Sequence, residues 1–347
     1  MLTIGIDAGT SKWAVSVLEE YREKGKTKTE FKFETTILTK EVKKDMGALL
    51  NLIQDFNPDC IVFPSGYGLP LKKISELDDN DLFKISLKKE SEKESLGIRK
   101  FLSEAKKRKF NGYVIPSVKQ LPTVENFKKI NVIDLGTSDK LCSVIYALSL
   151  SKNFKTENFI LAEIGYGFNA FIKIYGGKIC DGIGGTIASS GFLAHGKTDK
   201  EIINNRKVEK FSGGVLSILK KKISPQEFFK NYKNFKNREL AHLYFMDGLI
   251  KDISALSDPK ISKIYLCGKI SVFVEGEIKE GLERKSGRIF EVENIEKNES
   301  NACIHWSSAG RGGAILANGI CGGKFKNLTD WMEIKDARGD IFDYIFM

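Results

Sequence analysis

I-G-I-D-A-G-T-S-K, residues 4–12, runs from small and aliphatic residues into one carboxylate, a glycine and two hydroxyls. Asp-x-Gly is common hairpin punctuation, because glycine supplies the positive φ of a tight turn. Taken alone, the stretch reads equally well as a plain turn between two buried strands. Its neighbours extend the pattern. "WAVSVLE" (13–19) and "FKFETTIL" (31–38) alternate as strands. "KEVKKDMGALLNLIQDF" (40–56) sets Met46, Leu49, Leu50, Ile53 and Phe56 on one helical stripe. Asn57-Pro58 stops that helix, and "CIVF" (60–63) is a short buried strand.

The same order recurs. "NFILAEI" (158–164) runs into Gly165-Tyr166-Gly167, "FNAFIKIY" (168–175) alternates, and "GKICDGI" (177–183) follows a Gly-Gly turn. A helical region covers about 225–256, with Phe228, Phe229, Tyr232 and Phe235 and then Leu240, Leu243 and Tyr244, and "KIYLCG" (263–268) is again a buried strand. Three antiparallel strands, a crossover helix and a parallel strand, met twice, predict a duplicated RNase H-like α/β fold. "GTSDKLCSVIYALSLS" (136–151) is the expected linking helix. The predicted domains are residues 1–152 and 153–322, the final helix of the second returning to the first. An extension, 323–347, carries aromatics that pack either on the body or on a second subunit, which leaves a homodimer open.

The 347 residues suit two domains, and 41% hydrophobic content fills their interiors. No apolar run approaches the roughly 20 residues that span a bilayer, so no membrane partner is expected. The N-terminus shows no charged region followed by an apolar one, so no secretory leader is expected. Six scattered cysteines without a C-x-x-C pair argue against disulfides and structural zinc, and point to a reducing cytoplasm. The net charge of +10 lies largely in stretches such as 86–110, where Glu interleaves with Lys. That is the pattern of a solvated helix face rather than of a nucleic-acid surface.

If the two halves face each other, their first turns oppose across one cleft. Residues 9–12 (Gly9, Thr10, Ser11, Lys12) and 165–169 (from Gly165, Tyr166, Gly167) would then form anion-binding nests of backbone N–H groups. Asp7, ending the first strand, suits a hydrated Mg²⁺, which prefers oxygen ligands and keeps several waters.

At these residues the chain resembles the superfamily of acetate and sugar kinases, heat-shock chaperones and actin. I-G-I-D-A-G-T-S-K (4–12) resembles the first phosphate loop and D-L-G-T-S-D-K-L (134–141) the first connecting helix. A-E-I-G-Y-G (162–167) is similar to the second phosphate loop and I-Y-L-C-G-K-I (264–270) to the adenosine strand and turn. S-S-A-G-R-G-G-A-I-L-A-N-G-I (307–320) is similar to the final small-residue helix. More closely, P-S-G-Y-G-L-P (64–70), D-G-I-G-G-T (181–186) and F-S-G-G-V (211–215) resemble an archaeal branch described as predicted butyrate kinases.

The resemblance implies an actin-like ATPase fold around an ATP cleft, ATP and Mg²⁺ as cofactors, and transfer of phosphate to a small-molecule carboxylate. Asp7 and Glu163 would hold the metal, and Asp139 would act beside them as a catalytic carboxylate or, on the plainer reading, cap its helix. Gly184, Gly185 and Thr186 would approach phosphate, Gly268 and Lys269 the adenosine, and Ser65, Gly66, Tyr67 and Gly68 would shape the acid's pocket. Two positions depart from the pattern: Glu163 stands where Asp is general, and Lys269 where a second glycine is common. Arg311 reads either as a ligand to phosphate or to the substrate carboxylate or, more readily, as a solvated side chain near a helix end.

Rival readings within the same fold are a nucleotide-switched ATPase without a small acceptor, a sugar or polyol kinase, and a tRNA-modifying enzyme. The last asks for a histidine pair on a helix, and the three histidines offer none.

Overall fold

The computed structural model describes residues 1–89, 97–205, 213–230, 236–296 and 305–347. Phe211, Ser212, Tyr232, Phe235, Cys303 and part of the charged 86–110 stretch lie outside them. In chain order the strands and helices begin with β1 (Leu2–Ala8), β2 (Lys12–Glu23), β3 (Lys26–Leu38), α1 (Thr39–Lys44), α2 (Met46–Asp55) and β4 (Cys60–Val62). They continue with β5 (Lys72–Lys73), α3 (Asp79–Ser86), α4 (Ile98–Lys107), β6 (Gly112–Val114) and α5 (Ser138–Ser149). Then come β7 (Phe159–Ile164), β8 (Asn169–Tyr175), β9 (Lys178–Ile183), α6 (Lys200–Asn205), α7 (Gly214–Leu219) and α8 (Pro225–Lys230). The chain closes with α9 (Arg238–Leu256), β10 (Lys263–Cys267), α10 (Ser271–Ser286), β11 (Glu291–Asn294), α11 (Ser308–Ile320) and α12 (Lys326–Trp331).

Two compact units result. One holds Met1–Glu157, Tyr175–Asp181 and Asn298–Met347, and the other Asn158–Ile174 and Gly182–Lys297. The six-stranded sheet runs β3-β2-β1-β4-β6-β5, with β1, β2 and β3 antiparallel and β4 and β6 added in parallel. The five-stranded sheet runs β11-β10-β7-β8-β9, with β7 antiparallel to β8 and parallel to β10. The fold is therefore the duplicated RNase H-like α/β arrangement expected. No helix among the described residues is long and apolar enough to cross a membrane.

The expected helix over 40–56 is two helices. Asp45 leaves helical backbone at φ −139°, ψ 82° and its carboxylate accepts from the Ala48 N–H at 3.0 Å, capping α2. A capping carboxylate satisfies an otherwise orphan donor, which is why the break falls there. Met46, Leu49, Leu50 and Ile53 still form the buried stripe. Nor does β2 show the burial its alternation predicts. Trp13 to Leu18 are all buried, because α11 covers one face of the sheet while the core of Val42, Leu50 and Phe101 covers the other.

α11 lies between β1 and α5 in the first unit, and its small residues explain how. A Cβ on Gly312 would meet the Cys142 carbonyl oxygen at 1.8 Å, and one on Gly5 the Gly310 oxygen at 2.1 Å. Backbone therefore packs on backbone. The contact is reinforced by the Thr3 hydroxyl donating to the Ala314 carbonyl (2.9 Å) and the Ser308 hydroxyl donating to that of Ser143 (3.0 Å).

Candidate functional site

The two opening hairpins are built to one plan. Asp7 pairs with Ala14 across β1–β2, and Glu163 pairs with Ala170 across β7–β8. In each, a glycine follows two residues after the carboxylate. A Cβ on Gly9 would meet the Lys12 carbonyl oxygen at 2.6 Å, and one on Gly165 the Phe168 carbonyl oxygen at 2.7 Å. Both turns thus fold so tightly that a side chain at the glycine is excluded. In the first turn, Thr39 occupies two carbonyls: its N–H donates to Ser11 O (3.1 Å) and its hydroxyl to Gly9 O (2.8 Å). Lys12 is exposed, while Thr10 and Ser11 are partly so.

In the first unit, Asp7, the last residue but one of β1, is half-buried and accepts a hydrogen bond at Oδ2 from the Ser307 hydroxyl (2.9 Å). The same Ser307 oxygen accepts from the Gly310 N–H (3.0 Å), so one side chain caps α11 and holds the carboxylate. Asp139 lies in the first turn of α5, accepting from the Thr137 hydroxyl and the Lys140 ammonium, each at 2.5 Å. Burial pushes its pKa up, but the Lys140 charge and these hydrogen bonds outweigh burial and leave it below the ordinary carboxylate value. The neighbouring Cys142 thiol is pushed well up, by burial first and then by the charges of Asp139 and Asp7. Two carboxylates remote in sequence thus act on one buried thiol.

Arg311 corrects the sequence reading. It is not solvated at a helix end but inserted beside this site. Its guanidinium donates to both Glu34 carboxylate oxygens (2.8 and 2.6 Å) and to the Tyr146 hydroxyl (2.9 Å), and sits 3.6 Å from the centre of the Trp306 ring. Ser16 donates to the same Glu34 (3.0 Å). Burial would lower the Arg311 pKa, yet Glu34 and Tyr146 together outweigh it and keep the group charged. Glu34, Trp306 and Ser307 went unread in the sequence. The small-residue run beginning at Ser307 was the available signal, since a hydroxyl there is a natural helix cap.

Ser65, Gly66, Tyr67 and Gly68 follow β4. Ser65 is fully buried, its hydroxyl donating to Phe63 O (2.8 Å) and accepting from the Ile115 N–H (3.0 Å). The Gly66 carbonyl accepts from the Ser138 N–H at the start of α5 (2.9 Å), which ties the turn to the Asp139 segment. Burial, and secondarily the Asp134 charge, raises the Tyr67 phenol above its usual value.

In the second unit, three glycine segments meet at the end of β7. A Cβ on Gly185 would strike the Phe168 side chain at 2.6 Å, and one on Gly268, at φ +88°, the Ile164 carbonyl oxygen at 2.7 Å. Lys269 places its ammonium 5.8 Å from the Tyr166 ring centre, and Glu296 accepts from the Gly268 N–H at 2.8 Å. Gly184 accepts from the Ile187 and Ala188 N–H groups, while Thr186 is exposed. Beyond it, Asp252 accepts from the Ser189 N–H (2.7 Å) and hydroxyl (2.6 Å), and burial raises its pKa despite them. Neither Glu296 nor Asp252 stands out in the sequence, because each lies far along the chain from the loop it holds.

Among the described residues no group of three or more His, Cys, Asp or Glu gathers as a metal site. A hydrated Mg²⁺ asks for less, one or two carboxylates with waters completing its shell. Asp7, half-buried and with one oxygen held by Ser307, is of the donor type that such an ion accepts.

Residues 5–347 match the family model described as "Protein of unknown function (DUF1464)". No curated protein matches the sequence. Among solved structures, acetate kinase from Entamoeba histolytica is similar with a TM-score of 0.53 and 12% identity, covering 83% of this chain and 86% of that one. Component A of (R)-2-hydroxyglutaryl-CoA dehydratase from Acidaminococcus fermentans gives a TM-score of 0.42 at 10% identity, over 94% and 99% of the two chains. The activator of 2-hydroxyisocaproyl-CoA dehydratase from Clostridium difficile, with bound ADPNP, gives 0.38 at 12% identity over 98% and 99%. The first of these likenesses is one of fold, and the fold is the actin-like ATPase arrangement the sequence leads one to expect.

Proposed function

The chain belongs to the DUF1464 family of proteins of unknown function, and from that premise we propose that it is an ATP-dependent phosphotransferase whose acceptor is a short-chain carboxylate. The observation that carries this reading is the pair of register-matched hairpins, each with a carboxylate one residue before the end of its first strand and turning on a glycine with no room for a Cβ. Turns of this kind can present backbone N–H groups to phosphate oxygens; the Gly165 N–H itself donates to Phe168 O (3.1 Å), which leaves that role to its neighbours. The fold shared with an acetate kinase supports the choice of acceptor class.

In this reading Gly9, Thr10, Ser11 and Lys12 take phosphate oxygens from the first unit. Tyr166, Gly167 and Gly184 to Thr186 would do so from the second, Gly165 shaping their turn, and Gly268 and Lys269 would border the adenosine. Asp7 and Glu163 would hold Mg²⁺, which supplies neutralisation of phosphate charge. Asp139, kept ionised by Lys140 and Thr137, orients the acceptor side, and the Ser65–Gly68 turn shapes the acid's pocket. One acceptor carboxylate oxygen bonds to the γ-phosphorus as the bond from that phosphorus to the ADP oxygen breaks. A carboxylate, with a pKa of about 4 to 5, is already ionised at neutral pH and needs no general base. Alignment and charge neutralisation are then most of what the protein supplies.

Titration calorimetry with Mg-ATP and Mg-ADP, followed by hydroxamate trapping of acyl phosphate across acids from acetate to branched and aromatic ones, tests this. Nucleotide binding with acyl phosphate from at least one acid is the expected result. Silence for every acid alongside phosphorylation of a sugar or polyol would replace the acceptor class. Slow hydrolysis indifferent to any acceptor would turn the protein into a nucleotide switch.

A further inference from the structure

The segment after α11 packs within the first unit, and its contacts fall on both sides of one turn. Lys119 is 2% exposed, and its ammonium donates to the Ile341 carbonyl at 2.7 Å. A buried ammonium without such an acceptor is costly, so the 117–120 segment depends on the chain terminus. The Arg338 N–H donates to the carbonyl of the next residue, Gln120 (3.0 Å). On the other side, Asp340 pairs with Lys84 of α3 at 2.8 Å, and the Phe342 ring stacks on Phe83 of the same helix, 6.2 Å between centres.

Between these two anchorages lies the Ser65–Gly68 turn. α3 presents the Ile85 carbonyl, which accepts from the Tyr67 N–H (3.1 Å), and a Cβ on Gly66 would meet that same oxygen at 2.3 Å. From the opposite side the Gln120 side-chain amide donates to the Gly68 carbonyl (3.0 Å), and a Cβ on Gly68 would meet the Ser117 nitrogen at 2.2 Å. The turn is gripped between α3 and residues 117–120, and residues 338–342 bridge those two walls.

We infer that the C-terminal extension is a positioning element for the Ser65–Gly68 turn, setting the separation of the walls that hold it. Its consequence for catalysis rests on the reading above that this turn receives the acceptor. Its consequence for structure does not. A shift of α3 against the 117–120 segment would alter the turn directly, because no Cβ-sized gap exists at Gly66 or Gly68 to absorb it.

The test is the full-length D340N/F342A double variant, which releases α3 while leaving the Ile341 carbonyl on Lys119. Hydrogen exchange of peptides covering residues 64–70 is the structural readout, where exchange about tenfold faster is expected from losing a part-buried ion pair and a ring contact. Calorimetry with Mg-ADP should show unchanged affinity, and hydroxamate assays with acetate and butyrate a raised KM for the acid with kcat less affected. A folded variant whose turn exchanges at the wild-type rate would overturn the inference. So would acceleration spread equally over β1 and β2, which marks general loosening. Removing 339–347 altogether strands the Lys119 ammonium, so that truncation is made with K119M and should give the same localised effect. If the wild type makes no acyl phosphate from any acid, the functional reading falls and the exchange data still decide this one.

Discussion

The Ser307 hydroxyl donates to Asp7 Oδ2 at 2.9 Å although 300 positions separate the two residues in the chain. The strand that opens the fold and the helix that nearly closes it thus meet at one oxygen. The close backbone contact of Gly5 with Gly310 brings them there, and Ser307 acts as helix cap and carboxylate anchor at once.

Asp7→Asn should abolish Mg²⁺-dependent turnover while leaving the melting temperature nearly unchanged, since the residue lies one short of a strand's end rather than filling a core. Ser307→Ala should lose the cap, about 1 kcal/mol, and lower turnover without abolishing it. Thermal melts and Mg²⁺ titrations of activity check both. Equal activity of Asp7→Asn and wild type would remove Asp7 from the site.

Arg311 and Glu34 form an ion pair with both side chains at least four-fifths buried, at 20% and 16% exposure. Losing one partner strands the other, so Arg311→Ala or Glu34→Ala should each cost about 3 kcal/mol. The double variant should cost clearly less than their sum. Urea unfolding in a double-mutant cycle measures the coupling, and simple additivity would mean that the pair contributes little.

Two helical glycines should respond in opposite directions. Gly312→Ala drives a Cβ into the Cys142 carbonyl and should cost about 3 kcal/mol or prevent folding. Gly276→Ala, within α10 and with open space around its Cβ, should stabilise by about 0.5–1 kcal/mol through helix propensity. Chemical denaturation of the pair makes the comparison.

Asp139 sets an acid dependence. Its folded pKa lies below the unfolded value, because Lys140 and Thr137 outweigh burial, so the native state binds fewer protons. Stability from this group is present above the unfolded pKa of about 3.9 and is lost as pH falls through the folded value. Asp139→Asn should flatten that part of the curve. Urea midpoints of both proteins measured from pH 6 downward check it, and parallel curves would count against the assignment.

Much of the fold was legible in the chain because strands and helices declare themselves in local periodicity, and duplication let one half vouch for the other. Gly9 and Gly165 announced their turns, but not by the positive φ expected of a hairpin glycine, which neither adopts; a Cβ there would instead strike the Lys12 or Phe168 carbonyl oxygen. Asp45 was legible only in hindsight, since a capping carboxylate and a solvent-facing one look alike until the helix ends. The continuous burial of β2 was hidden because alternation reports one covered face, and the second cover, α11, arrives about 290 residues later. Arg311 was misread for that same reason. Its charge suggested water, yet Glu34, Tyr146 and Trp306 supply a partner, a hydrogen bond and a ring from separate elements. Turns and periodicities are settled by bonds between near neighbours, whereas a buried charge is settled by whichever distant groups the packing delivers.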